Sequence, residues 1–391
     1  MNLLAVICEY NPFHTGHAHL INEARARVAP DGVVGLMSGW FVQRAEPAVL
    51  PPHLRAKTAI SGGMDAVLQM TTCHSIAAAP DFAANAVRTL ATIPSVRYLA
   101  FGAEDDESVL RDIASVRLSE PPAFKEALNN ALDKGAGYAA ALSVAVCTTL
   151  QNERLPQDEL KAILKKPNNI LAIEYLIAIA RYAPHVISVI VKRSGNDYHS
   201  EKSCGDFISA TAARALLKRG DRTALAPYLP QETLQECIST YEAHPINEET
   251  FEALAVYALR TSVIDSCPDA GEGLERRLQT NAKKYITLSE IIAHTANKRS
   301  TNARIKRLTL QALLGIRERI TCPTAKPIAV KESVADALLP LFSHFPLRNR
   351  DYAASEVLQN IAAIEQRAAD VYALITNRQG NEFTDARLLT L

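Results

Sequence analysis

The chain has 391 residues, 48% hydrophobic and 21% charged, with no net charge. That is the composition of an ordinary soluble globular protein, long enough for two domains that each bury a core. No apolar run reaches the length of a membrane span, and the N-terminus lacks the positive stretch of a secretion signal. Seven cysteines, at positions 8, 73, 147, 204, 237, 267 and 322, are odd in number and include no C-x-x-C pair. This argues against a disulfide framework or a zinc ribbon and for a reducing cytoplasm.

In chain order, Leu3 to Cys8 reads as a buried strand, Pro12 as a turn, and His17 to Val28 as a helix packed on a sheet. Gly32–Met37 is a second strand, Pro52–Ser61 a helix, Asp65–Met70 a third strand and Ile76–Ala91 a helix. Val96–Phe101 is a fourth strand, ending at Gly102. Such alternation predicts an α/β fold, a parallel sheet with helices on both faces and ligands at the carboxyl ends of the strands. From about residue 107 to 165 the pattern turns helical and reads as an insertion. A helix over Asn169–Tyr182 and a fifth strand over His185–Val191 follow. The helix Ser209–Arg219 closes a first domain, residues 1–220, because Gly220 and the stretch to Pro230 read as a linker. Residues 221–391 read as a mostly helical second domain, clearest at Leu288–Thr295 and Thr301–Leu314, with a short strand-like run after Lys326.

The turn between the first strand and helix reads Glu9-Tyr10-Asn11-Pro12-Phe13-His14-Thr15-Gly16-His17. Gly16 lets a ligand approach the backbone at a helix N-terminus, where free N–H groups and the helix dipole favour negative charge. In a helical turn, His14 and His17 point the same way and can donate to phosphate oxygens. A bare H-x-x-H suits a metal pair or a helix cap equally well. With a strand before it and a helix after it, the segment resembles the H-x-G-H signature of the nucleotidyltransferase superfamily that includes class I aminoacyl-tRNA synthetases. The fuller string resembles a narrower family, the tRNA(Met) cytidine acetate ligases.

Further motifs carry the same resemblance. Ile208-Ser209-Ala210-Thr211-Ala212-Ala213-Arg214 sets two hydroxyls at a helix start, where one alone would serve as a cap. It resembles the I-S-x-T-x-x-R string that grips the triphosphate. Lys192-Arg193-Ser194-Gly195 ends the fifth strand with a guanidinium able to fork onto phosphate. Pro167-Asn168-Asn169 opens a helix, and Asn168 is favoured over Asn169 as a ligand. Met37-Ser38-Gly39-Trp40-Phe41-Val42-Gln43-Arg44 resembles the family's M-S-G-x-F-x-Q-R-G-E-P-A, with Ala45 in place of the usual glycine. On composition Trp40 is more often core than ligand. Leu68-Gln69-Met70-Thr71 stands where an acidic residue, then leucine and proline, is expected.

The resemblance implies a Rossmann-like nucleotidyltransferase domain followed by a mostly helical tRNA-binding domain. It implies ATP binding by Ile7, Cys8, the nine signature residues, Ala18, His19 and Leu20, with Gly102, Asn168, Asn169, Arg193, Ser209 and Thr211. His14 and His17 would be catalytic, stabilising phosphate charge, and Mg²⁺ would accompany ATP, with no resident metal site. Acetate would be activated to acetyl-adenylate and passed to the wobble cytidine of elongator tRNA(Met), giving N4-acetylcytidine.

Between Glu275 and Arg319 eleven basic residues stand against three acids, a local excess of eight. Such a patch suits a phosphate backbone. Lys283, Lys284, Lys298, Arg299, Arg304, Lys306 and Arg307 are its candidate tRNA contacts. Two rival readings remain at this stage: a small-molecule adenylyl- or cytidylyltransferase, which leaves the basic helical part unexplained, and a tRNA-binding protein without catalysis, which would be expected to have lost phosphate-contacting residues. An acetyl-CoA-dependent transferase would need a pantetheine-binding fold, of which the sequence bears no sign.

Overall fold

A computed structural model describes residues 1–150, 156–193, 207–380 and 388–391. Ser194, Gly195 and Cys204 lie outside the described residues.

Among the described residues nine strands form: β1 (Leu3–Cys8), β2 (Gly32–Ser38), β3 (Phe41–Val42), β4 (Glu46–Pro47), β5 (Ala66–Met70), β6 (Val96–Ala103), β7 (Ile187–Lys192), β8 (Ala325–Val330) and β9 (Leu389–Thr390). Seven make one sheet in the order β7-β6-β1-β2-β5-β8-β9. Every pairing in it is parallel except β5 with β8. A parallel sheet needs cover on both faces, and β1 and β2 are accordingly near-continuous apolar runs. On one face Leu3, Ala5 and Leu36 pack with Phe82, Leu90, Ile173 and Ile177 of the helices Ala79–Ala91 and Pro167–Tyr182. On the other, Leu4, Val6 and Val33 pack with Ile21, Ala56 and Ala59 of the helices Thr15–Val28 and Pro52–Ser61.

β1 is flanked by β2 on one side and β6 on the other, so the chain leaves β1 in one direction and later returns to build in the other. The crevice at the carboxyl end of β1 is therefore a topological switch point, the place where open α/β sheets bind ligands. The five strands expected in the first half all form. The helix expected over Ile76–Ala91 begins only at Ala79, with Pro80 in its first turn, and a separate short helix, Thr72–Ser75, precedes it.

Among the described residues the helices Glu107–Ser119, Pro122–Asp133, Tyr138–Thr149 and Gln157–Ile163 stand between β6 and the helix Pro167–Tyr182. Further on, the helices Glu248–Thr261, Leu274–Lys284, Leu288–Thr295 and Asn302–Leu314 surround their own apolar cluster of Leu259, Leu274, Leu278, Ile291, Ile305 and Leu308.

The chain beyond residue 220 also supplies strands. β8 lies antiparallel on β5, and β9 adds to β8. Their sequence signal is weak because Pro327, which has no N–H to give, interrupts β8. The pairing shifts register between Val67 and Leu68, where Leu68 faces Pro327. The last long helix, Glu356–Ile375, lies over the loop that follows β2. Its Tyr372 ring is 5.3 Å from Trp40, and its hydroxyl donates to the Ala48 carbonyl at 2.8 Å. Trp40 is therefore core.

Glu365 of the same helix explains the departure at Gln69. Its buried carboxylate accepts from the Gln69 amide at 3.1 Å, from the Thr72 hydroxyl at 3.1 Å and from the Thr72 backbone N–H. The neutral Gln69 thus meets an acid brought from the far end of the chain. Glu365→Ala would leave these donors without their acceptor. It is expected to lower stability by about 1–3 kcal/mol, read as a reduced urea midpoint.

Candidate active site

At the switch point, β1 ends in Cys8 and the chain turns through Glu9–Phe13 into the helix Thr15–Val28. His14 is its N-cap, in extended conformation. Phe13 is fully buried and lies where a Cβ on Gly62 would collide with its ring, so this close approach holds the turn down on the neighbouring helix. Tyr10 is also buried, its ring 4.8 Å from that of Phe13 and 4.8 Å from that of His17. These contacts fix the turn from below and leave the histidines above it.

The His14 and His17 rings stack, 3.6 Å between centroids and 25° between planes. The His14 backbone N–H donates to His17 Nδ1 at 3.1 Å, which leaves the proton of neutral His17 on Nε2. Burial and the Arg193 guanidinium lower the His14 pKa to about 3. Burial, His14 and Arg193 hold that of His17 well below the usual histidine value. Both imidazoles are therefore neutral at pH 7 and can donate hydrogen bonds without repelling each other. His14 Nδ1 and the Thr15 hydroxyl, both buried, have no hydrogen-bond partner among the described residues. Unsatisfied polar atoms at a helix N-terminus mark a place built for a polar ligand.

These groups open on a cleft of about 150 Å³. Of the expected ATP-site residues, Ile7, Cys8, Glu9, Tyr10, Asn11, His14, His17, Leu20, Gly102, Asn168 and Arg193 line it. Gly16 and His19 line a smaller adjoining cavity with His14 and Arg193. Gly102 has a structural reason to be glycine, since a Cβ there would press on Arg193 Cγ at 3.1 Å. Pro12, Phe13, Thr15 and Ala18 line neither cavity and shape the turn and helix instead. Glu9 is the single carboxylate lining the cleft among the described residues. Its Oε1 accepts from the Gln43 N–H at 2.8 Å, and burial raises its pKa.

The paired asparagines divide. Asn168 lines the cleft, its amide donating to Glu104 Oε1 at 2.6 Å. Asn169 is fully buried, accepts from the Glu104 and Asp105 N–H groups, and donates to Asp105 and to the Ile163 carbonyl. With its amide so engaged, Asn169 lines neither cavity. Ser209 caps the helix Ala210–Arg219, accepting from the Ala212 N–H at 3.0 Å, while Thr211 accepts from Arg214 at 3.3 Å. Ala210 between them lines the cleft, whereas the two neighbouring residues do not. Arg214 also donates to the Asn11 carbonyl at 3.0 Å, tying this helix to the signature turn.

Sequence reasoning missed Gln43, Phe82, Phe101, Leu171 and Tyr175, which line the same cleft. The Phe101 and Tyr175 rings lie 5.2 Å apart. Phe101 stands directly before Gly102 and could have been found from its strand end. Phe82, Leu171 and Tyr175 lie within helices and look like any core residue in the sequence. Ala45 has φ +56°, the left-handed region that favours glycine, and its N–H donates to the Val42 carbonyl at 2.8 Å. The loop therefore takes a glycine-like turn despite the alanine. Among the described residues, no group of three or more His, Cys, Asp or Glu side chains is placed to hold a metal ion.

The candidate RNA cations also divide. Arg304 pairs with Glu272 at 2.8 Å, Lys306 with Glu46 at 2.9 Å, and Arg307 with Asp269 at 2.7 Å, the last pair nearly buried. All three are paired within the chain, Arg307 in a nearly buried pair and Arg304 and Lys306 in pairs that stay at the surface. Lys283, Lys284, Lys298 and Arg299 are exposed and form no ion pair among the described residues.

A family profile described as HIGH Nucleotidyl Transferase matches residues 1–385. A protein named tRNA(Met) cytidine acetate ligase from Acetivibrio thermocellus is 33% identical, over 81% of this chain and 78% of its own. One of the same name from Listeria monocytogenes is 31% identical over the full length of both chains. In architecture the chain is similar to a crystal structure of Thermotoga maritima TmcAL without ligand, with a TM-score of 0.90, 23% identity and full coverage of both chains. A second structure of that protein, bound with alpha-thio ATP, gives a TM-score of 0.87 at 24% identity, again over both whole chains. The histidine pair at the switch point, the end-to-end profile match and the full-length relatives agree: the chain belongs to the tRNA(Met) cytidine acetate ligase family of HIGH nucleotidyl transferases.

Proposed function

We propose that this protein is a ligase that uses ATP to activate acetate as acetyl-adenylate and transfers the acetyl group to the wobble cytidine of elongator tRNA(Met). The observation that carries the reading is the buried, stacked, neutral histidine pair, with His14 Nδ1 unclaimed, at the N-terminus of the first helix of a parallel sheet. It is supported by relatives of that name at 31% and 33% identity.

In the first step an acetate oxygen attacks the α-phosphorus of ATP, and the bond to the β-phosphate oxygen breaks to release pyrophosphate. Charge grows on the departing phosphates. In this reading His14 and His17 donate to it, together with the backbone at Gly16 and the Arg193 guanidinium. Mg²⁺ bound to the nucleotide would neutralise part of its charge. The protein's own contribution is mostly positioning and electrostatics.

In the second step the exocyclic amine of cytosine attacks the acetyl carbonyl, AMP leaves, and the amine loses a proton. That nitrogen is a weak nucleophile because its lone pair is delocalised into the ring, so an acyl group carrying a good leaving group is needed. An anticodon base is unpaired and can enter a pocket at modest cost.

The test omits RNA. The pure protein is incubated with ATP, Mg²⁺, acetate and labelled pyrophosphate, and label entering ATP is measured. Exchange is expected to depend on acetate and to fall at least about 100-fold in His14→Ala, the scale of losing a positioned charge-stabilising donor. Exchange that instead requires a phosphorylated small-molecule acceptor would replace the ligase reading with a nucleotidyltransferase one.

A further inference from the structure

Lys298 and Arg299, which form no ion pair among the described residues, occupy a hydrogen-bonded turn. Asn297 Oδ1 accepts from the N–H groups of Arg299 at 2.9 Å and Ser300 at 2.7 Å. Arg277 anchors the turn from the preceding helix, donating to the Thr295 carbonyl and the Ser300 hydroxyl, both at 2.9 Å. This turn does not stand alone. It meets the helical insertion at Gly137, where a Cβ would overlap the Lys298 carbonyl oxygen. Gly137 has an ordinary φ of −68°, so glycine is needed there for the close approach and not for its backbone freedom. Two parts of the chain distant in sequence are thereby held in fixed register.

What they present together has a recognisable chemistry. Tyr138, next to Gly137, is 62% exposed, although tyrosine commonly buries its ring. It opens the helix Tyr138–Thr149, whose N-terminus has no side-chain cap, so backbone N–H groups at that end are open to an anion. Beside it runs the backbone of Lys298 and Arg299, whose carbonyl and Cα close on Gly137 and whose side chains are both exposed. An aromatic face with flanking cations, in place of a broad apolar patch, is how proteins hold unpaired nucleotides: bases stack on the ring, and phosphates meet the charges.

We infer that the corner formed by Tyr138, Lys298 and Arg299 is an RNA-contacting surface, taking an unpaired base on the tyrosine ring and the adjoining phosphates on the two cations. The inference rests on the tRNA-ligase reading for its ligand class. It moves the RNA contact away from Arg304, Lys306 and Arg307, each of which already has an acidic partner in the chain, and gives the helices after β6 a task.

The experiment measures binding of an elongator tRNA(Met) transcript to the full chain at several salt concentrations. Tyr138→Ala is expected to weaken binding between about fivefold and 100-fold, the range one base–aromatic stack supplies. Tyr138→Phe, which keeps the ring, should bind within about twofold of wild type. The Lys298→Ala/Arg299→Ala double variant should reduce the salt slope by about two. Gly137→Ala, which pushes the corner apart, should behave like Tyr138→Ala. Urea midpoints confirm that each variant folds.

Wild-type affinity in Tyr138→Ala, or an equal loss in Tyr138→Phe, overturns the inference, the second by showing that the hydroxyl and not the ring is used. Acetate-dependent pyrophosphate exchange, run in parallel without RNA, separates the two claims. A wild type that binds the transcript but lacks exchange counts against the ligase reading alone. One that exchanges but is indifferent to Tyr138 counts against this surface alone.

Discussion

Arg55→Met is expected to lower the stability of the protein by about 3–5 kcal/mol, the largest effect of any single substitution considered for the scaffold of the site. Arg55 is fully buried. Its guanidinium donates to the Leu50 carbonyl at 3.0 Å, to the Ser38 carbonyl at 3.0 Å, and to the carbonyls of Glu9 and Gly39. Those four belong to the end of β1, the end of β2 and the loop that follows it, so one side chain gathers three segments around the cleft. Burial pulls its pKa down to about 10, which still leaves it charged at neutral pH. Methionine fills similar volume but strands four acceptors, each costing about 1–3 kcal/mol when unmet, partly offset by not burying a charge. Lysine keeps a charge but cannot reach four carbonyls from one nitrogen in this fork, so Arg55→Lys should also lose stability. Urea unfolding monitored at Trp40 would measure both. Destabilisation below about 1 kcal/mol in Arg55→Met would show that the four carbonyls find other donors.

Acidification gives the second large effect. His14 has a pKa of about 3 in the folded protein against 6.5 when unfolded. Between those values the unfolded chain holds a proton that the folded protein refuses, so stability falls as pH drops from about 6.5 toward 3. At pH 5 the share due to His14 is about 2 kcal/mol. His17, lowered for the same reason, acts in the same direction. Glu365 opposes them. Burial raises its pKa to about 7 from 4.5, so its folded form gains a proton, and stability, as pH falls through that window. The wild type alone therefore cannot isolate the histidine. The informative comparison is His14→Gln, which should lose about 2 kcal/mol less than wild type between pH 7 and pH 5 in urea titrations. Saturating ATP should shrink the wild-type loss, since phosphate charge favours the imidazolium. Parallel pH profiles for the two proteins would mean that His14 is solvated and accepts its proton freely.

The first half of the fold was legible because its physics is local. β1, β2, β5, β6 and β7 are short apolar runs set between turns, and each of their boundaries agrees with the sequence within about two residues. The histidine pair was legible because a strand, a turn with Gly16 and a helix follow one another in sequence. What stayed hidden depends on residues far apart. Asn168 and Asn169 are adjacent and chemically identical, and only the contacts of Glu104 and Asp105 show which of them faces the cleft. Arg304, Lys306 and Arg307 look like a basic helix face until Glu272, Glu46 and Asp269 are brought to them. Phe82 and Tyr175 carry helical spacing whether they face a core or a cleft. β8 was obscured by Pro327, and its partner strand could not be guessed from a run so far along the chain.

That late strand has a consequence for how the protein is made. Synthesis delivers β1 to β7 first, yet β5 has no neighbour on its outer side until residues 325–330 emerge from the ribosome. For most of translation the sheet carries an open edge, the feature through which partly made chains stick to one another. Glu365, which fastens the segment after β5, arrives later still. Translational pausing or truncation upstream of β8 should therefore leave chains that clump rather than fragments that bind nucleotide. Every residue lining the cleft has been made by the time Ala210 is, so the ribosome delivers the whole site more than a hundred residues before the strand that closes its sheet.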